Sequence, residues 1–226
     1  MRHLLFFVYP RAGSCWRVHF DRLAQYRNAW DGRAVVVAAF DQTTERGTEL
    51  SDAALKIGAE LVAVENDHVL GEAAHFKASL DLFKEESGSI FYAHGKGVTH
   101  TWYLENAVAW ADGMYLLNLR EPRMIDRILQ QYKAVGAFRK VGWHGNAPWH
   151  FSGSFFWVDL ASALAANTDA SKLDRYGTEG FPGRAVPLEK SFCLTPEDHP
   201  WTNLYQQKLS MAYCERQLNN LRTRFA

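Results

Sequence analysis

The stretch Phe91-Tyr92-Ala93-His94-Gly95-Lys96-Gly97-Val98-Thr99-His100 sets a ring base and a compact cation among glycines. Gly95 and Gly97 let the backbone approach a ligand closely. Lys96 carries a point charge suited to a phosphate oxygen. His94 donates a hydrogen bond or exchanges a proton near neutral pH. The pattern fits a diphosphate cradle, and it fits an exposed Gly-rich turn that happens to hold a lysine equally well. It is not a P-loop, because Ile90 stands where the first glycine belongs and Gly97 replaces Ser or Thr. His100 likewise occupies the last place of a would-be GxGxxG.

A second dense stretch is His150-Phe151-Ser152-Gly153-Ser154-Phe155-Phe156-Trp157. Gly153 between two serines offers backbone and hydroxyl groups to a polyol, and the aromatics offer either a stacking surface or core. Glu179 lies in Tyr176-Gly177-Thr178-Glu179-Gly180-Phe181-Pro182-Gly183. A carboxylate on such a loop is a candidate general base, or simply a solvated acid. The pairs His94/His100 and His144/His150 do not have metal-ligand spacing, so no metal site is expected. There is no DxD. Glu65-Asn66-Asp67, an ExD after a strand, is the nearest relative and the fallback for Mg or Mn.

These residues need a scaffold. Leu4–Tyr9 reads as a buried strand closed by Pro10, and Cys15–Asn28 carries Trp16, Phe20, Leu23 and Tyr26 at helical spacing. Strands follow at Arg33–Phe40, Glu60–Glu65 and Ser89–Ala93, with helices near Ser51–Ile57 and Gly71–Lys84 between them. This alternation predicts a largely parallel sheet covered on both faces. The loops after Tyr9 and Ala93 then sit at strand carboxyl ends, where such sheets bind ligands. Further on, Leu104–Leu119 and Arg123–Tyr132 read as helices, and Lys133–Trp143 and Phe151–Val158 as strands. Asp159–Ala166 reads as a short helix, 167–200 as a long loop region, and Trp201–Phe225 as an amphipathic helix.

The length of 226 residues suits one globular domain. Hydrophobic residues at 47% and charged residues at 22% mark a folded chain rather than a disordered one. Basic and acidic residues balance at 25 each, which argues against nucleic-acid binding through a broad basic face. Three cysteines without a CxxC pair point to a reducing compartment, and the N-terminal apolar run is too short for a signal or membrane span. A cytoplasmic location without a transmembrane segment is therefore expected. The surplus is aromatic, with 8 Trp, 9 Tyr and 14 Phe filling core or lining a site for a ring-shaped ligand.

Taken together, VYPRAGSCWR with NAWDGRAVVVAAFD, FYAHGKGVTH, HFSGSFFWVDLASAL and YGTEGFPGR resemble the ordered motifs of small bacterial glycosyltransferase-like proteins. The H-x-KG segment is also similar to that of rhamnan-synthesis-type glycosyltransferases. The resemblance implies an α/β fold, a single GT-A-like domain over 1–226. It would have a Rossmann-like nucleotide-sugar half over about 1–100, and a mixed central sheet continuing into an acceptor half and C-terminal helix over about 101–226. It implies sugar transfer from a nucleotide-sugar donor to a glycan or other hydroxyl acceptor, as in polysaccharide biosynthesis, without a required cofactor. His94 and Lys96 would stabilise the diphosphate and Glu179 would act as base, with Asp112 in reserve. Tyr9, Pro10, Trp16, Gly95, Gly97, Trp102, Asp112, His150, Ser152 and Gly153 would bind donor or acceptor. Gly95 in place of Ser or Thr, and Ser154 in place of Asn, depart from the pattern. They favour the alternative, a carbohydrate- or nucleotide-sugar-binding protein without turnover on the same fold.

Overall fold

The computed structural model describes residues 1–45, 47–99, 104–144, 146–166, 174–196 and 208–225, without the side chains of 143 and 144. Four strands form a parallel array: β1 (Arg2–Val8), β2 (Ala34–Phe40), β3 (Glu60–Glu65) and β4 (Ser89–His94). Helices α1 (Trp16–Gln25), α2 (Thr48–Lys56) and α3 (Ala73–Asp81) connect them. The sheet continues through β8 (Phe156–Asp159), β5 (Ala134–Gly136) and β9 (Ser191–Cys193) in the order β3-β2-β1-β4-β8-β5-β9. Strand β8 runs antiparallel to both neighbours, whereas β5 and β9 are parallel. The protein is thus an α/β fold with a Rossmann-like N-terminal half and a mixed central sheet.

The central strands have no polar alternation because both faces are covered. Leu4, Phe6 and Val8 of β1 pack with α1, α4 (Leu104–Leu119), α5 (Pro122–Leu129) and α8 (Met211–Arg224) on one side. Leu5 and Phe7 pack with Phe76, Leu80 and Phe181 on the other, the face of α3, α6 (Leu160–Ala165) and α7 (Gly177–Ala185). Eleven of the sixteen residues of α4 are buried, so this helix lies inside the fold rather than on it. Trp16, Trp30 and Trp157 are buried. The Trp157 indole N–H donates to the Asn118 carbonyl at 2.9 Å, so this residue belongs to the core. Trp201 falls outside the described residues.

Three expectations change. The strand read over Lys133–Trp143 breaks at Phe138, whose φ is 58°, into β5 and β6 (Arg139–His144). The strand read over Phe151–Val158 starts later, at Phe156, while Phe151 ends a separate strand, β7 (Ala147–Phe151), which forms an antiparallel hairpin with β6. His144 and His150 consequently belong to paired strands. Between β7 and β8, Gly153 (φ 96°) and Ser154 (φ 58°) turn the chain through the left-handed region.

The described part of 167–200 also holds more than loop, since α7 and β9 lie there. Glycines suggested a loop, but at least one meets a packing requirement. A β-carbon on Gly183 would stand 2.0 Å from the Trp149 carbonyl oxygen, so this face of α7 seats directly on β7.

Candidate functional site

A cleft of about 530 Å³ opens at the carboxyl ends of the parallel strands. That position follows from the topology: loops leaving parallel strands gather at one edge, and backbone groups there remain available to a ligand. Tyr9 after β1, Asp41 and Thr43 after β2, Asn66 and Asp67 after β3, and His94 to Thr99 at the end of β4 form one side. Ser154, Arg175, Tyr176 and Glu179 come from the C-terminal half.

Strand β4 ends in a short, tightly held turn. The Gly95 amide donates to the Phe7 carbonyl at 2.9 Å and the Lys96 amide to the His94 carbonyl at 2.8 Å. Gly97 has φ 87°, and a β-carbon there would stand 2.8 Å from the β-carbon of Ala107, so both conformation and space select glycine. The Lys96 ammonium lies 4.1 Å from the ring centroid of Trp110, a cation–π contact that orients it. Its carbonyl bonds to His19 Nε2 at 2.9 Å, while His19 Nδ1 bonds to the Tyr115 hydroxyl at 3.0 Å. A carbonyl only accepts, so His19 carries its proton on Nε2 and accepts from Tyr115. Burial lowers the His19 pKa from 6.5 to about 4, which keeps it neutral.

His94 Nδ1 pairs with Glu72 Oε2 at 2.6 Å, joining the end of β4 to the residue that precedes α3. Glu179 occupies the first turn of α7 rather than a loop, and its Oε1 accepts the Gly153 amide at 2.6 Å. The amide proposed for polyol recognition therefore holds a carboxylate instead. Two motifs far apart in the chain meet in this bond.

At the other end of the cleft, Asp41 accepts from the Tyr9 hydroxyl at 2.6 Å, the Thr43 amide at 2.7 Å and Asn66 Nδ2 at 2.9 Å. The Tyr9 bond, reinforced by Thr43 and Asn66, holds its carboxyl well below the usual range. Asp67 spends Oδ1 on the Val69 and Leu70 amides at 2.8 and 2.7 Å, closing the loop after β3. These amide bonds lower its pKa as well. Among the described residues no group of three or more His, Cys, Asp or Glu side chains is arranged to hold a metal ion.

Of the residues singled out from sequence, Tyr9, His94, Gly95, Lys96, Gly97 and Glu179 share this cleft. Pro10, Trp16, Asp112, His150, Ser152 and Gly153 stand outside its lining. The Trp16 indole is buried and donates to Glu45 Oε2 at 3.1 Å. Asp112 faces Arg22 in a two-pronged pair at 2.6 and 3.1 Å. His150 and Ser152 are buried with Nε2 and Oγ 3.4 Å apart. Trp102 and His100 lie outside the described residues. Glu65 is exposed, away from the lining, while its neighbour Asp67 lines it. Sequence reasoning passed over Arg11, Asp41, Asn66, Glu72 and Arg175. For Asp41 and Asn66 the signal was available, since each follows a strand read as parallel.

No protein-family model and no curated protein matches the chain. Among solved structures it is similar to one described as the crystal structure of 4-diphosphocytidyl-2C-methyl-D-erythritol synthase. The identity is 9% and the TM-score 0.44, covering 97% of this chain and 98% of that one. Among the described residues no helix is long and apolar enough to cross a membrane.

Proposed function

We propose that the chain is a glycosyltransferase whose cleft holds a nucleotide-sugar donor, with its diphosphate against His94-Gly95-Lys96-Gly97. The observation that carries this reading is the convergence of that turn and Glu179 on one cleft, from opposite halves of the fold. The residues divide the chemistry between them. Glu179, steadied by the Gly153 amide, takes the proton of an acceptor hydroxyl as its oxygen attacks the anomeric carbon. The bond from that carbon to the diphosphate oxygen breaks, and the electron pair leaves with the nucleotide diphosphate. Lys96 and His94 stabilise the negative charge as it develops, where placed charges act most strongly. Tyr9 supports the donor side through Asp41.

The acceptor, a glycan or another hydroxyl compound, enters from the side of Arg175 and Tyr176. The design is metal-independent; of the fallback pair Glu65 and Asp67 for Mg or Mn, Asp67 alone lines the cleft. Nucleotide release from a panel of UDP-, GDP- and dTDP-sugars, each with simple sugar acceptors and in excess EDTA, tests the reading. Turnover of one donor that persists in EDTA is expected. Loss of turnover restored by Mn rejects metal independence. Thermal stabilisation by nucleotides without turnover of any donor favours the binding protein.

A further inference from the structure

The geometry points to Glu72 as a positioning residue that fixes the tautomer of His94 and makes its contact with an anionic ligand depend on proton uptake. An ionised carboxylate only accepts hydrogen bonds, so the 2.6 Å contact places a proton on His94 Nδ1. The Glu72 and His94 side chains are only 14% and 20% exposed, which shields the pair from water. In the neutral ring Nε2 then holds a lone pair. That atom is buried and has no hydrogen-bond partner among the described residues. Phe155 packs edge-on against the ring, at 6.0 Å between centroids, and limits its rotation.

A neutral imidazole held this way offers a lone pair, not a donor, to a phosphate oxygen that reaches Nε2 once the groups covering it move aside. Only the imidazolium donates from Nε2 while Nδ1 stays on Glu72. His94 therefore donates to an anion only as the imidazolium, and Glu72 removes the alternative of a neutral Nε2–H donor. The charged and titratable groups around this pair come from several elements. Lys96 belongs to the same turn and Glu179 to α7, both lining the cleft. Tyr92 of β4 is kept protonated by burial, with Glu72 adding to the effect. His19 of α1 is kept neutral by burial.

The assignment of phosphate as the ligand rests on the proposed function, whereas the tautomer does not. Long-range ¹H–¹⁵N NMR on the full chain labelled at histidine reads the tautomer directly, with His94→Gln identifying the signal. The expected spectrum has Nδ1 protonated and Nε2 bare. Glu72→Ala is expected to shift it toward the Nε2–H form common in solvated imidazole. A ring protonated on Nε2 and bare at Nδ1 in the unaltered protein overturns the proposal, and that spectrum decides even where Glu72→Ala does not fold. Calorimetry with UDP across about pH 6 to 9 in buffers of differing ionisation enthalpy is expected to show net proton uptake that His94→Gln abolishes. UDP binding without uptake overturns the proposal as well. Absence of UDP binding counts against the nucleotide reading and leaves the tautomer to the spectrum.

Discussion

The two halves of the sheet fix their sides of the cleft by different means. In the N-terminal half, four parallel strands, three of them buried on both faces, deliver four loops to one edge, and hydrogen bonds between loops hold them. The loop after β1 is tied to the loop after β2 through the Ala12 amide on the Thr43 carbonyl and the Glu45 amide on the Pro10 carbonyl, at 3.1 and 2.9 Å. In the C-terminal half, a turn in the left-handed region and a helix seated on a hairpin deliver Glu179. The first side is a floor built by repetition. The second is one carboxylate placed by one strained turn. Damage should therefore be graded on the floor and abrupt at the turn.

Glu179→Gln separates the halves most sharply. It keeps the shape and is expected to lower turnover by about 100- to 10,000-fold with little change in donor affinity. Steady-state nucleotide release with a donor titration checks this, and near-native turnover removes Glu179 as base. Lys96→Ala acts on the floor. Loss of a charged contact to phosphate should weaken nucleotide binding by roughly 10- to 100-fold, measured by calorimetry, while thermal unfolding stays nearly unchanged.

Gly153→Ala tests the turn. Alanine at φ 96° is strained, and its β-carbon would meet Met114 Sδ at 2.7 Å. A loss of about 1–3 kcal/mol is expected in denaturant unfolding, together with reduced turnover as the amide shifts from Glu179. Unchanged stability and activity would show that the turn tolerates a side chain and does not place the carboxylate.

Beneath the floor, His19 adds a pH dependence. Burial lowers its folded pKa from 6.5 to about 4, so below 6.5 the unfolded chain binds the proton first. Stability contributed by neutral His19 is whole above 6.5 and declines as pH falls toward 4. Denaturant midpoints across that window should slope less in His19→Gln. The smallest effect is expected from Asp112→Asn. Arg22 and Asp112 form a partly exposed pair, so the loss should stay within about 1 kcal/mol, with turnover unaltered.

The same contrast explains what could be read from the sequence. In the first half, runs such as Ala34–Phe40 are apolar throughout because both faces are buried, and periodicity places strands and helices within a few residues. The match for β3, Glu60–Glu65, is complete. In the second half, Phe138 and Ser154 take left-handed conformations that their residue types do not announce. Gly183 looks like a loop signal but serves contact between α7 and Trp149. Aromatic-rich composition leaves wall and core indistinguishable, and Trp16 and Trp157 went to buried positions. His94, Lys96 and Glu179 were legible as chemistry-bearing residues. Glu72 was not, because its meaning depends on a tertiary contact with His94 that no local spacing encodes.

A crystal of the protein soaked with UDP tests the central claim most directly. The account predicts the diphosphate against the His94–Gly97 turn, within hydrogen-bond or ion-pair reach of Lys96, with Glu179 across the open cleft from it. UDP bound elsewhere, or with its phosphates turned away from Lys96, would contradict it.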